Sequence, residues 1–334
     1  MQEPTAIVCF GEALIDFLAQ PAQAGQGPRT FTQFAGGAPA NVAVAAAQLG
    51  ADAHFVGMLG HDMFGDFLFD SLRRAGVGTD YVVRTEAANT ALAFVALDGR
   101  GERSFSFYRP PAADLLFRDA HFRDDCFQRA TMFHVCSNSM TEAHIAATTL
   151  SGVRRAQEAG ALISVDLNLR PALWPADFDP LPRLWELLLG ADLIKLAHDE
   201  LIYLALHGGG ERAVIERLLG ARTQLIVVTH GAGAVHWHTR HGTASMPGFR
   251  VHALDTTGAG DAFVGGLLSA MRARGVKKQS FAAFVGDEPE LRQALRFATA
   301  AGACSVTRNG AFEAMPTRGE VERLLQEQPA GASA

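Results

Sequence analysis

The stretch "DTTGAGDAF", Asp255 to Phe263, sets two glycines and the carboxylate of Asp261 at the mouth of an apolar helical pattern, "DAFVGGLLSAMRA". A helix N-terminus offers unpaired amides and the positive end of the helix dipole. Small residues there let an anion approach the backbone, so Gly258, Ala259 and Gly260 suit a phosphoryl or oxyanion group. A carboxylate beside such an anion must serve another purpose, and Asp261 would take a proton from an incoming hydroxyl. That is general-base chemistry next to an anion hole, and it fits phosphoryl transfer to an alcohol. The same residues also read as a glycine-rich strand-to-helix turn with Asp261 as an ordinary helix-start acid. Local chemistry alone leaves both readings open.

Such a site needs a rigid frame. Short apolar runs, "AIVCFG", "AHFVGMLG", "MFHVCS", "ALISVDLN", "DLIKLA" and "LIVVTHG", alternate with helical patterns such as "APANVAVAAAQLG" and "TEAHIAATTLSGVRRAQEAG". Strands apolar on both faces with helices between them predict an α/β fold: a central, mainly parallel sheet covered by helices on both sides. Two runs break the rhythm. "LIDFLAQPAQAGQGPRTFTQF" is extended and turn-rich, and "TALAFVALDGRGERSFSFYRP" reads as a hairpin. They predict a small β-sheet lid drawn from about residues 14–35 and 90–110, within a single domain over residues 1–325. The tail from residue 326 to 334 is expected to be disordered.

Bulk properties exclude several classes. The 334 residues are 48% hydrophobic, enough for a large core, and the formal net charge of −6 gives no nucleic-acid footprint. Cys9, Cys126, Cys136 and Cys304 are scattered without a CxxC, as expected of reduced thiols in a cytoplasmic protein. The N-terminus has no signal-peptide pattern, and no apolar run is long enough to predict a membrane span. No lysine follows a glycine, which removes a Walker-A loop, and no G-x-G-x-x-G follows the first strand.

With these motifs in order, the sequence resembles the PfkB (ribokinase-like) family of carbohydrate kinases, and within it the fructokinases. "DTTGAGDAFVGGLL" is similar to the family's C-terminal signature, and "GGAPANVAVAAAQLG" followed by "VGMLGHDMFGDFL" to its N-terminal one. "GEALIDF", "VDLNLRPALW" and "RFATAAGACSVTRNGA" also fall in the family's order. The resemblance implies ATP-dependent phosphorylation of a primary hydroxyl of a small sugar, most of all D-fructose, with Mg²⁺ accompanying ATP and K⁺ as a further ion. On the sugar side it implies Asp16, Gly36, Gly37, Asn41, Arg109 and Asn168. Arg170 would offset charge on the transferring phosphoryl group. Asp16 follows a buried strand end, where α/β sheets bind ligands, and Asn41 supplies both a donor and an acceptor. Nucleotide contacts are implied for Lys195, Thr229, Gly231, Gly258 and Gly260. A monovalent cation would sit near Asp255, Thr257 and Gly310.

The match has departures. The Thr-x-Gly loop at Thr229 lacks its expected later glycine, with Ala234 in its place. The family's Asn-x-x-Glu motif has Ala197 for Asn and keeps Glu200, which would reach Mg²⁺ through water. Three rivals remain: a 2-keto-3-deoxygluconate kinase, a riboside kinase, and a sugar-sensing binding protein without catalysis. A carboxylated sugar would need an additional cation near Arg109. "HWHTRH" holds three histidines but no accompanying acid or cysteine, and reads as a solvated strand edge rather than a metal site. Apolar lid residues such as Phe94 and Phe105 would permit a homodimer.

Overall fold

The computed structural model describes residues 4–20, 30–97 and 103–329. Thirteen strands among them form two sheets. The larger is built from β1 (Ala6–Phe10), β4 (Ala53–Gly60), β5 (Gly78–Thr85), β8 (Ala130–Cys136), β9 (Leu162–Asp166), β10 (Leu193–Ala197), β11 (Leu225–Thr229), β12 (Val235–Thr239) and β13 (Gly242–Met246). Their order is β13-β12-β11-β10-β9-β8-β1-β4-β5. All neighbours from β11 to β5 pair in parallel, and β12 and β13 add an antiparallel edge. The smaller sheet runs β3 (Phe31–Gly36), β2 (Leu14–Ala19), β6 (Leu92–Leu97), β7 (Arg103–Tyr108). Its two antiparallel pairs join through a parallel β2–β6 contact. The turns expected at residues 21–29 and 98–102 lie outside the described residues.

The apolar strands are buried on both faces because each face has its own helical layer. Within β1, Ile7 and Cys9 join one core cluster while Ala6, Val8 and Phe10 join the other. The first core packs under the helices Ala38–Gln48, Ala259–Ala273 and Glu288–Ser305, the second under Ala143–Glu158 and Leu181–Leu189. The chain runs from β1 to β4 and β5 on one side, then returns to β8 and continues the other way. The switch point therefore lies between β1 and β8, and the carboxyl ends there open a ligand crevice in sheets of this kind.

One packing detail positions the site directly. A Cβ at Gly265 would lie 2.9 Å from the Val42 carbonyl, and one at Gly266 would lie 3.1 Å from Ala298 Cα. The "GG" of "DAFVGGLL" thus lets the Ala259–Ala273 helix approach its two neighbours and brings its first turn beside Asn41.

Residues 247–255 form an irregular crossing into the helix Ala259–Ala273. One expectation needs correcting. The C-terminal helix Arg318–Glu327 extends into the expected tail, and Gln328 is tied to Arg250 by two hydrogen bonds. Residues 330–334 lie outside the described residues. The His236 ring lies 4.6 Å from that of His230, and among the described residues no group of three or more His, Cys, Asp or Glu is placed to hold a metal ion. No helix among the described residues is long and apolar enough to cross a membrane.

Candidate active site

Two helices begin at the carboxyl ends of the central strands, and each begins with a glycine in the left-handed region. Gly37, at φ 108°, precedes Ala38–Gln48; a side chain there would also strike the Glu12 carbonyl at 2.6 Å. Gly258, at φ 72°, precedes Ala259–Ala273. These sharp entries aim both helix starts into one crevice. Asp261 sits between them, 6% exposed. Asn41 Nδ2 donates to its Oδ2 at 2.7 Å, and Asn168 Nδ2 donates to its Oδ1 at 3.1 Å. Burial, reinforced by the negative charge of Asp166, pushes the Asp261 carboxyl up to about 7, against the opposing pull of the Asn41 bond and of Lys195. A carboxylate poised there can exchange a proton near neutral pH.

The turn Thr256–Asp261 divides two cavities. One, of about 280 Å³, is lined by side chains with hydrogen-bonding groups: Glu12, Asp16, Asn41, Asn138, Asn168 and Asp261, with Gly37, Phe107, Arg170 and Gly258 beside them. The other, of about 320 Å³, is lined by Thr229, Gly231, Phe249, Ala259, Gly260 and Gly302 among others, and no charged residue among those described lines it. The amides of Gly260 and Asp261 start the helix at the boundary. The Ala259 amide makes a long turn bond to the Thr256 carbonyl, 3.3 Å. The arrangement therefore sets an ionisable base on one side of a helix N-terminus and a mostly apolar, backbone-lined cleft on the other.

The structure brings together most of the residues singled out in the sequence. Asp16 is half-buried on β2. Burial first, and then the charges of Asp261 and Asp255, push its carboxyl up to about 7. Gly36, paired across the small sheet, leaves the space that the Asp16 carboxylate fills. Thr229 and Gly231 line the second cavity. Asp166, Asn168 and Arg170 do not continue a strand, because β9 ends at Asp166. Asn168 turns left-handed, φ 41°, and Arg170 is solvent-exposed at the rim of the first cavity. Lys195 is buried and lies 3.1 Å from both oxygens of Asp166, directly beneath Gly260, where a Cβ would meet Nζ at 2.8 Å. Asp255 accepts the amides of Thr257 (2.7 Å) and Gly310 (3.2 Å), so the three residues expected near a cation are tied together by hydrogen bonds.

Two residues are placed differently from expectation. Arg109 does not line the cavity. It is 2% exposed, its Nε and Nη2 donate to Asp114 Oδ2 at 2.9 and 2.6 Å, and its Nη1 donates to the Asn138 carbonyl at 2.7 Å. The cis Pro110–Pro111 bond follows it. Glu200 has both oxygens engaged by main-chain amides, those of Leu169 and Ala197, each at 2.7 Å.

Sequence reasoning missed Glu12 and Asn138. Glu12 Oε1 accepts from Asn138 Nδ2 at 2.9 Å and from the Ala38 amide at 3.2 Å. Asn138 Oδ1 is buried without a partner in a cavity able to supply one. The available signal was position: both follow the carboxyl ends of β1 and β8, the two strands flanking the switch point.

Comparison with known proteins agrees with this geometry. The pfkB family carbohydrate kinase model matches residues 4–318. Fructokinase-1 of Oryza sativa subsp. japonica is 40% identical over 324 residues, 96% of this chain and 97% of the relative. A crystal structure of fructokinase with bound ATP from Xylella fastidiosa superposes with a TM-score of 0.94 at 57% identity, covering 97% of this chain and 99% of that one. Fructokinase from Vibrio cholerae O395, in a form with fructose, ADP and calcium ion bound, superposes at 0.83 with 28% identity, covering 96% and 99%. The chain belongs to the pfkB family of carbohydrate kinases.

Proposed function

We propose that this sugar kinase transfers the γ-phosphoryl group of Mg-ATP to a primary hydroxyl of D-fructose. One observation carries the reading: the Gly258–Asp261 turn stands between a polar cavity and an apolar one, with a base facing the first and helix amides at the boundary. Fructose takes the polar cavity, where Asp16, Asn41, Asn138 and Asn168 answer its hydroxyls. ATP takes the other, its base among small and apolar side chains and its phosphates at the helix start. Asp261 removes the proton of the hydroxyl as the oxygen attacks phosphorus. The Gly260 and Asp261 amides, with Ala259 beside them and Arg170 from the rim, stabilise charge on the transferring group, and ADP leaves with the β–γ bridging oxygen. Lys195 pairs with Asp166 beneath the helix start. The fructokinase names of the relatives, and the ATP and fructose bound in the two crystal structures, support this assignment. Arg109, engaged by Asp114 and the Asn138 carbonyl, offers no cation to a carboxylated sugar, and Arg170 is the one cationic residue lining the polar cavity among the described residues.

Mg²⁺ would arrive on the nucleotide's phosphates, keeping most of its water; among the described residues no group of three or more His, Cys, Asp or Glu is placed to hold a metal ion. K⁺ would sit near Asp255, Thr257 and Gly310. A cavity of about 10 Å³, room for one water-sized occupant, touches these three and Asp16, with Leu18, Phe34, Val95 and Ala311 completing its wall. The outer face of the small sheet, opposite Asp16, carries Phe31, 39% exposed, and Tyr108, 66% exposed, in ring contact with Phe94. We propose that it pairs two copies of the chain; Tyr108→Glu would then shift light-scattering mass from dimer to monomer. The four free cysteines suit a reducing, cytoplasmic setting. The function is tested by ADP release with a panel of fructose, ribose, ribosides and 2-keto-3-deoxygluconate. Fructose is expected to give the highest kcat/KM. Heat of sugar binding without ADP formation would replace the kinase with a sensor.

A further inference from the structure

Glu200 is the acid retained from a motif whose asparagine is Ala197 here, and the structure gives it work that needs no metal. Its Oε2 accepts the Ala197 amide at the start of its own helix, His198–Gly208, and its Oε1 accepts the Leu169 amide beyond β9, each at 2.7 Å. One buried carboxylate thus fastens the end of β10 to the loop after β9 with two charge-assisted bonds. Leu169 directly follows Asn168, the one described non-glycine residue at positive φ, 41°. A left-handed residue other than glycine persists where its surroundings hold it. Asn168 uses that turn to aim Nδ2 at Asp261 Oδ1, 3.1 Å away. Glu200, Asn168 and Asp261 are 8%, 6% and 6% exposed, so the chain of contacts lies out of solvent.

We infer that Glu200 is a positioning residue for the base: through Leu169 and Asn168 it fixes the Asp261 carboxylate, which Asn41 holds from the opposite helix. The inference rests on the base role proposed for Asp261. With the grip on Leu169 broken, Asn168 relaxes out of its turn, Asp261 keeps one donor of two, and the carboxylate swings from its line to the hydroxyl. Turnover falls and fructose binding weakens with the displaced Asn168, while the metal requirement stays.

A double-mutant cycle in the full-length protein separates this from a metal-organising role. Glu200→Gln keeps one acceptor oxygen and turns an amide toward the other N–H. Asn168→Gly keeps the left-handed turn at no cost but removes the donor. Each is expected to lower kcat with fructose about tenfold and, because Asn168 also faces the sugar, to raise KM for fructose, with the half-saturating Mg²⁺ concentration within about twofold of the parent. The double variant should be no slower than the slower single one. Multiplying losses, or a raised Mg²⁺ requirement in Glu200→Gln at unchanged kcat, would overturn the inference. Glu200→Asp, charged but too short to span both amides, replaces Glu200→Gln should that variant not fold. A crystal structure of the Glu200 variant decides the point without turnover. Asn168 should leave positive φ and part from Asp261; Asn168 still left-handed on Asp261 would end the proposal. A parent enzyme inert toward fructose, by contrast, would count against the sugar and leave the crystal result standing.

Discussion

The two cavities that meet at Asp261 are built on opposite plans. The polar one is lined by buried side chains whose hydrogen-bonding atoms are already held in place, with Asn41 Oδ1 and Asn138 Oδ1 left unpaired. The apolar one is lined by glycine, alanine, valine and phenylalanine, with backbone and threonine supplying its polar groups. The first plan suits discrimination. A site made to hydrogen-bond hydroxyls rejects analogues that lack them, because its buried groups are left without partners. The second suits a flat base and a flexible polyphosphate, recognised by shape and by amides at a helix start. Catalysis is proposed at the boundary, where the helix-start turn that carries Asp261 borders both cavities.

That division can be broken from either side. The largest effect is expected at the boundary. Asp261→Asn should reduce kcat by about 10³-fold or more with little change in KM for either substrate, and a loss under tenfold would remove the base assignment. Next comes Arg109, which the geometry places behind the polar wall. Arg109→Met leaves Asp114 buried and unpaired, and denaturant unfolding should show about 3–5 kcal/mol of lost stability. A direct sugar contact would instead raise KM for fructose at unchanged stability. In the apolar cleft, Gly302→Leu should raise KM for ATP about tenfold and leave fructose KM alone; equal changes in both would mean the cavities are not separate. Asn138→Ala is the mirror experiment, expected to raise fructose KM about five- to tenfold while ATP KM stays constant.

The smallest change sharpens the boundary itself. The base proposed at Asp261 would work ionised, and burial raises its carboxyl to about 7. The active form is therefore present above that pH and lost as pH falls through it, so kcat/KM should drop about tenfold per unit below 7. A profile flat down to pH 5 would mean a carboxyl with ordinary acidity.

The same contrast explains what the sequence could disclose. Elements buried on both faces were legible because β1, β4, β8, β10 and β11 are nearly continuous apolar runs. The edge strands β5 and β13 were not, since a half-exposed strand such as "GTDYVVRT" carries no such run. Asp16, Gly37, Asn41 and Asp261 were legible because each sits in a compact motif at a helix start or strand end. Glu12 and Asn138 stand 126 residues apart and meet only through the β1–β8 pairing, so no local pattern announces them. Arg109 misled for a related reason. Its neighbours in the chain point to the lid, while its partner Asp114 lies five residues on and draws it inward. Glu200 was read through its motif, yet its partner Leu169 comes from the adjacent strand's loop, a contact that register decides.

The most direct test is a crystal structure of this chain with fructose and a non-hydrolysable ATP analogue bound together. It should show a primary hydroxyl of the sugar within about 3 Å of an Asp261 oxygen and the γ-phosphoryl group against the Gly260 and Asp261 amides. Sugar and nucleotide bound with Asp261 turned away from both would contradict the account.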